Sequence, residues 1–152
     1  MLTILDPLTV ANRLRPVLLQ LNRQLRRELQ GLGITGGQAA LLHAIHTTPG
    51  IGLRELAAQE RVSAPVLSGY VDRLERAGLV QRTRSARDRR RVGLAVTREG
   101  ERVLRAARSR RTAWLAARLK RLTPEQLEAI DAALPALAAL VEAESPGKEV
   151  SA

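Results

Sequence analysis

Cysteine is absent from the 152-residue sequence, which excludes disulfide bonds, thiolate metal sites and cysteine redox sensing. Aromatic residues are nearly absent as well, because Tyr70 and Trp114 are the only two and the chain has no Phe. The hydrophobic core must therefore be built from Leu, Val, Ile and Ala, most of which suit helices.

Long apolar runs are also missing, and no stretch approaches the roughly 20 residues that a bilayer-spanning helix needs. The segment Met1–Asp6 lacks the basic and then apolar pattern of a secretory signal. Nucleotide-binding loops, zinc-protease helices and other enzyme motifs do not occur either. We therefore expect a cytoplasmic bacterial or archaeal protein that is not an enzyme and binds no cofactor or metal.

Positive charge is abundant, with 25 Lys and Arg residues against 15 Asp and Glu, a net charge of +10 that is nearly all Arg. Such an excess favours a polyanionic partner, with nucleic acid first and an anionic membrane second. The alternative is an Arg-rich composition without functional meaning. The distribution of the charge along the chain has to distinguish the two interpretations.

Helical patterns occupy the first half of the chain. After an Asp6-Pro7 start, Leu residues at spacings of three and four predict a helix that ends near Gly31. Thr35 and Gln38 form a predicted capping box for the next helix. A short helix follows, and then a helix that Ser63 caps and Gly78 ends. Three helices joined by short turns are typical of a helix-turn-helix.

The period of the pattern changes at Val80, where an extended stretch begins. Val92, Leu94 and Val96 alternate with small residues, as in a strand. Between the two stretches lies an Arg-rich segment that is too charged to be core. The sequence therefore predicts a β-hairpin with a basic loop directly after the third helix of the trio.

Two further helices are predicted, one from Thr97 and one from Thr123, whose second capping box includes Gln126. The predicted fold class is mainly α with a small β-hairpin (α+β): a winged helix-turn-helix with a flanking helical dimerisation domain. The predicted boundaries are an N-terminal dimerisation helix in 1–34, a DNA-binding lobe in 35–97, C-terminal dimerisation helices in 98–144 and a disordered tail in 145–152.

The DNA-binding lobe also resembles the MarR-type regulators, named for multiple antibiotic resistance, over roughly residues 34–100. The fragments that carry the resemblance are Leu53-Arg-Glu-Leu56-Ala57, Ser63 followed by Ser68, Val71-Asp-Arg-Leu74-Glu75, Gly78-Leu-Val80-Gln-Arg82, Asp88-Arg-Arg90 and Thr97-Arg-Glu-Gly100. The resemblance implies a wing Arg in the minor groove, Arg90, supported by Asp88. It also implies an effector pocket between the dimerisation helices and the DNA-binding unit, for a small anionic or aromatic ligand.

The recognition helix is predicted at about 63–77, with the wing at about 80–97. An α-helix fits the major groove of DNA, and its N-terminal residues meet base edges. Helical geometry that turns Leu67, Tyr70, Val71 and Leu74 inward leaves Pro65, Ser68, Gly69, Asp72 and Arg73 outward. Because Pro65 and Gly69 offer bases no side-chain hydrogen bonds, DNA shape would carry more of the specificity. The other expected DNA contacts are Arg54 and the wing residues Arg84, Arg87, Asp88, Arg89, Arg90 and Arg91.

His43 and His46 lie one turn apart on one helix, but two ligands without a nearby acidic cluster do not make a metal site. They are either structural residues or part of the effector pocket. For the dimer interface we expect the apolar rows of the first and last helices, Leu14, Leu18, Leu21, Leu127, Ile130, Leu134 and Leu137.

The preferred interpretation is a homodimeric transcriptional regulator, a repressor, that binds a pseudo-palindromic operator in double-stranded DNA and responds to a small molecule. One alternative is an architectural DNA-binding protein without sequence preference, which would not need the apolar rows of the terminal helices. The other is a peripheral membrane protein with basic amphipathic helices, to which the hairpin gives no support.

Overall fold

The computed structural model of the protein describes residues 4–84 and 91–142. Four of the expected wing residues and the expected tail 145–152 lie outside these ranges. Within them the chain forms α1 (Pro7–Arg27), α2 (Gly36–Thr47), β1 (Ile51–Gly52), α3 (Leu53–Gln59), α4 (Ala64–Arg76), β2 (Val80–Arg84), β3 (Val92–Val96), α5 (Arg98–Leu119) and α6 (Pro124–Glu142). The predicted fold class, mainly helical with a small β-hairpin, is confirmed.

Side-chain caps set the starts of the helices, as the sequence predicts. Thr35 Oγ1 accepts a bond from the Gln38 amide at 3.1 Å, and Gln38 Oε1 accepts one from the Thr35 amide at 2.9 Å. Thr123 and Gln126 repeat this reciprocal pair at the start of α6, at 3.1 and 3.2 Å. Both pairs satisfy amide groups that the first turn of a helix leaves without partners.

The main core lies where α2, α3 and α4 pack against the sheet and the first turns of α5. Its centre is aliphatic and fully buried, as the near absence of aromatic residues requires. The largest of its buried side chains are Leu42, Ile45, Leu56, Leu67, Val71, Leu74, Val80 and Leu94. Among the described residues no polar or charged residue belongs to the buried class, so apolar packing dominates the stability of this lobe.

The three strands form one antiparallel sheet in the order β1-β3-β2. Val80 pairs with Val96 and Arg84 pairs with Val92, so the predicted hairpin is confirmed. The two-residue strand β1 was not predicted, and it makes β3 the central strand through the pairs of Ile51 with Leu94 and Gly52 with Gly93.

Burial along β3 differs from the predicted alternation. Val92, expected to face inward, is half exposed, whereas both Gly93 and Leu94 are buried. The cause is the backbone of Gly50, directly before β1, which covers Gly93 so closely that a Cβ on Gly93 would lie 2.5 Å from the Gly50 carbonyl oxygen. Only a glycine fits at that point of the strand.

The chain divides into two compact units, residues 1–114 and 115–152. The core described above belongs to the first unit. Neither α1, in the first unit, nor α6, in the second, contains a buried residue. In the described part of the chain, no helix has the length and apolar character needed to cross a membrane.

Candidate nucleic-acid interface

Helix α4 is anchored by its cap and by one apolar face. The Ser63 hydroxyl accepts a bond from the Val66 amide at 3.4 Å, and the amide that Pro65 lacks falls in the first turn, where it has no helical partner to lose. Leu67, Val71 and Leu74 are completely or almost completely buried. The opposite face of α4 is therefore held rigidly and presented to solvent.

The exposed face of α4 differs in part from the predicted one. Pro65, Gly69 and Arg73 are exposed, as expected. Tyr70, predicted to be buried, is 44% exposed, and Val66, which is not among the residues predicted to face outward, is 45% exposed. The buried face is narrow because residues 67, 71 and 74 alone fill it, and Tyr70 lies about 40° around the helix beyond Leu74, at the edge of that face.

Two polar residues of α4 lie toward the edge of this exposed face. Ser68 and Asp72, predicted to point outward, are both only partly exposed. They lie one turn apart on the same side of the helix. Asp72 still exposes 46% of its side chain, in line with the prediction, while its carboxylate is engaged within the protein, as described next. Ser68 keeps enough exposure to remain a predicted DNA contact.

Arg82 on β2 connects the hairpin to α4. Its Nη2 donates to Asp72 Oδ1 at 2.9 Å, and its Nε donates to Glu75 Oε2 at 3.1 Å. Asp72 and Glu75 are three residues apart, so both carboxylates reach the same guanidinium group. This double contact orients the strand relative to the helix that is expected to enter the major groove. Sequence reasoning missed it, although an acidic pair on α4 followed by an Arg on the next strand was a visible signal.

We expect Arg82→Gln to lower the free energy of unfolding by about 1 kcal/mol, because the two ion pairs are partly exposed and screened by solvent. We also expect about a 5-fold loss of DNA affinity, since the freed hairpin must be oriented when DNA binds. Thermal unfolding and fluorescence anisotropy with labelled duplex DNA measure the two effects.

The matched control for Arg82→Gln is Arg102→Gln. Arg102 donates to Glu99 at 3.0 and 2.5 Å in the first turns of α5, and these bonds lower the pKa of the Glu99 carboxyl. Both side chains are exposed, so the loss of this pair should change neither stability nor DNA affinity. Equal behaviour of the two variants would show that Arg82 does not position the hairpin.

The wing carries exposed Arg residues at the end where the pairing of β2 with β3 stops. Arg84 is the last residue of β2 and Arg91 immediately precedes β3, and both are exposed. The pairing of Arg84 with Val92 brings the two positions to the same end of the hairpin. The remaining expected wing contacts lie outside the described residues: Arg87, Asp88, Arg89 and Arg90.

Arg54 lies in the first turn of α3 and is exposed, whereas the preceding Leu53 is half buried against the core. The helix starts at Leu53 directly after β1, so the position of Arg54 is tied to the edge of the sheet. An exposed Arg at this place suits a phosphate contact, which remains a prediction.

The two histidines of α2 have different surroundings. His46 Nδ1 lies 2.7 Å from Glu101 Oε1 and thereby links α2 to α5. The rings of His43 and His46 are stacked, with centroids 6.5 Å apart. The described residues contain no group of three or more His, Cys, Asp or Glu that could hold a metal ion. A structural role for His46 is therefore supported, and the effector-pocket assignment of both residues remains untested.

The residues expected at a dimer interface lie on α1 and α6, and none of them is buried. Leu14 and Leu137 are half buried, while the other five are exposed: Leu18, Leu21, Leu127, Ile130 and Leu134.

Known proteins resemble this chain over most of its length. A regulator of the helix-turn-helix type from Mycobacterium bovis is 30% identical over 137 residues, which cover 90% of this chain and 95% of the relative. The crystal structure of a transcriptional regulator from Pseudomonas aeruginosa is 31% identical, with a TM-score of 0.79 over 91% of this chain and 98% of the other. The transcriptional repressor MdtR of Bacillus subtilis is 27% identical over 68% of this chain and 67% of its own length.

The MarR family model matches residues 34–92, which run from the start of α2 into the hairpin. The segment thus contains the helix-turn-helix, the Arg82 contact, the whole of β2 and the first residue of β3. With the full-length relatives and this architecture, the chain belongs to the MarR family of winged helix-turn-helix, DNA-binding transcriptional regulators.

Proposed function

We propose that the protein is a cytoplasmic homodimeric repressor that binds a pseudo-palindromic operator and responds to a small-molecule effector. The observation that carries the dimer is the complete lack of buried residues in α1 and α6, although both helices have apolar rows. Helices of 21 and 19 residues that bury no side chain gain little stability from packing within a single chain.

The exposed apolar residues of α1 and α6 support a stable partner. Full burial of one Leu or Ile side chain contributes roughly 1.5–3 kcal/mol. Several of the exposed apolar residues lie in rows, Leu18 and Leu21 on α1 and Leu127, Ile130 and Leu134 on α6, and a row distinguishes an interaction surface from a singly exposed Leu. A second copy of the chain offers the same rows and would cover them through a two-fold interface.

Two-fold symmetry of the protein leads to a symmetric operator. Each copy would place its α4 in the major groove of one half-site, with the two helices roughly 34 Å apart, one turn of B-DNA. Arg84 and Arg91 at the end of each wing, both exposed, would face the phosphates or the minor groove.

The proposals of repression and of effector release rest on a relative and on the thermodynamics of ligand binding, not on contacts within this chain. The relative MdtR is described as a repressor. An effector can change DNA affinity only if it binds the DNA-competent and incompetent conformations with different strength. A small anionic or aromatic compound that favours a different half-site spacing would meet this condition, and His43 and His46 are the candidate pocket residues.

We expect the full chain to enrich an inverted repeat from a random pool of duplex DNA, and to bind it as two chains per duplex. Competition between the enriched and a scrambled duplex should give an affinity ratio of about 10³ or more, as is typical of specific binding. Anisotropy titration measures the ratio, and sedimentation of the complex measures the stoichiometry. A ratio near one would instead identify an architectural DNA-binding protein.

A further inference from the structure

The exposed face of α4 is largely apolar over its first two turns. Pro65, Val66, Gly69 and Tyr70 form a continuous apolar surface, which we call the α4 slot, and Arg73 follows it. Val66 and Tyr70 each expose more than 40% of their surface, and the chain has only one other aromatic residue. Exposure of a scarce aromatic residue on the expected reading helix calls for a partner outside the chain.

Gly69 provides a second, independent observation. A glycine in the interior of a helix destabilises it relative to alanine. A Cβ placed on Gly69 would meet no heavy atom within 4 Å, so nothing inside the described structure requires a glycine here. The space at Gly69 is therefore available to something that approaches α4 closely from outside.

The dimensions of the slot suit the edge of a base pair. Helical rise places Pro65 and Arg73 about 12 Å apart along the helix, with Gly69 halfway between them. Val66 and Tyr70 are four residues apart and form a neighbouring ridge on the same face. Gly69 therefore leaves a space the size of one side chain. Val66 and Tyr70 border this space along one side, Pro65 lies at one end and the Arg73 guanidinium at the other.

The chemistry of the slot selects one feature of the major groove. Proline and valine side chains have no hydrogen-bond donor or acceptor, and glycine has no side chain. Tyr70 adds an apolar ring, and its one polar group, the hydroxyl, lies at the far end of the ring. Of the groups that base pairs present in the major groove, the thymine 5-methyl is the apolar one, and small apolar side chains contact it. The neighbouring Arg73 can contact a guanine or a phosphate at the same time.

We propose that the α4 slot receives the 5-methyl group of a thymine in each half-site, with Gly69 allowing the close approach and Val66 and Tyr70 forming the walls. The proposal rests on the proposed operator binding and adds the base that the helix reads. It differs from the expectation that DNA shape carries more of the specificity, because here the apolar residues themselves contact the base.

The test begins with the duplex that the full chain enriches from a random pool. Each thymine is then replaced in turn by deoxyuridine, which removes only the 5-methyl group, and binding is measured by anisotropy. We expect one thymine per half-site to be sensitive, with a loss of about 4-fold for each methyl removed, the factor that corresponds to one buried methyl group. In the variant Val66→Ala, the loss at that thymine should fall below 2-fold, while other positions stay unchanged.

A pair of glycine variants tests the close approach separately. Gly69→Ala should raise the unfolding temperature, because alanine favours the helix, and still lower operator affinity about 10-fold by blocking the slot. Gly37→Ala is the matched control, since Gly37 is also an exposed helical glycine and its Cβ would meet only Thr35 Oγ1 at 3.9 Å. It should leave operator affinity unchanged.

The outcomes separate this proposal from the proposed function. If no sequence is enriched, operator binding itself fails. If an operator is enriched but no thymine responds to deoxyuridine, or Val66→Ala leaves the response unchanged, the thymine assignment is overturned while operator binding stands. An unchanged affinity of Gly69→Ala would overturn the close approach at that residue.

Discussion

Leu134→Asp is expected to convert the protein into monomers and to lower its operator affinity by roughly 100-fold or more. Leu134 lies in the middle of the α6 row and is 52% exposed in the single chain. If a second copy covers that row, the carboxylate would be buried without a partner, which strongly opposes association. A monomer then binds with one α4 instead of two and loses the gain of about 10²–10⁴ that linked binding sites provide.

Sedimentation equilibrium measures the oligomeric state in this experiment, and anisotropy with the enriched duplex measures affinity. Ala132→Asp is the matched control, because Ala132 is exposed and lies about 160° around α6 from Leu134. It introduces the same charge and a similar loss of helix propensity away from the apolar row. A Leu134→Asp protein that remains dimeric would show that α6 does not form the interface.

The elements that depend on local chemistry were predictable from the sequence. Capping boxes at Thr35 and Thr123 identify helix starts because the reciprocal bonds involve residues only three positions apart. Gly78 marks the end of α4 because its φ of +75° is favourable for glycine alone. The hairpin was visible from its change of period and the charge of its loop.

The features that the sequence did not reveal depend on contacts between distant residues. Strand β1 has only two residues, too few for any periodic signal, and it exists through its pairing with Leu94 and Gly93. Tyr70 was assigned to the core by its hydrophobicity, whereas three aliphatic residues already fill the buried face of α4. Because Tyr70 is exposed, it belongs to the α4 slot on which the thymine proposal depends.

The joint between the hairpin and α5 shows how the core also positions the DNA-binding elements. Thr97 Oγ1 donates to the Gly78 carbonyl oxygen at 2.6 Å and accepts from the Gly100 amide at 3.1 Å. The Thr97 amide donates to the Leu79 carbonyl oxygen at 3.0 Å. The end of α4, the end of β3 and the start of α5 therefore meet at one point.

Gly100→Ala should disrupt this joint and destabilise the protein by about 3 kcal/mol, the upper part of the range for an overpacked core. Gly100 is buried, and a Cβ there would collide with the Leu79 carbonyl oxygen and lie 2.5 Å from Val96 Cγ1. Backbone must therefore move, and the bond from Thr97 to Leu79 is the first to be strained. The unfolding midpoint should fall by on the order of 10 °C.

Differential scanning calorimetry of Gly100→Ala and Gly37→Ala measures the difference directly. Gly37→Ala adds the same methyl group to an exposed helical position with space around it, so its midpoint should be unchanged or slightly higher. Equal midpoints for the two variants would mean that α5 can move away from Leu79 without loss. A large difference would show that the close approach at Gly100 holds the start of α5 against the base of the wing, because both variants add one methyl group to a helical glycine.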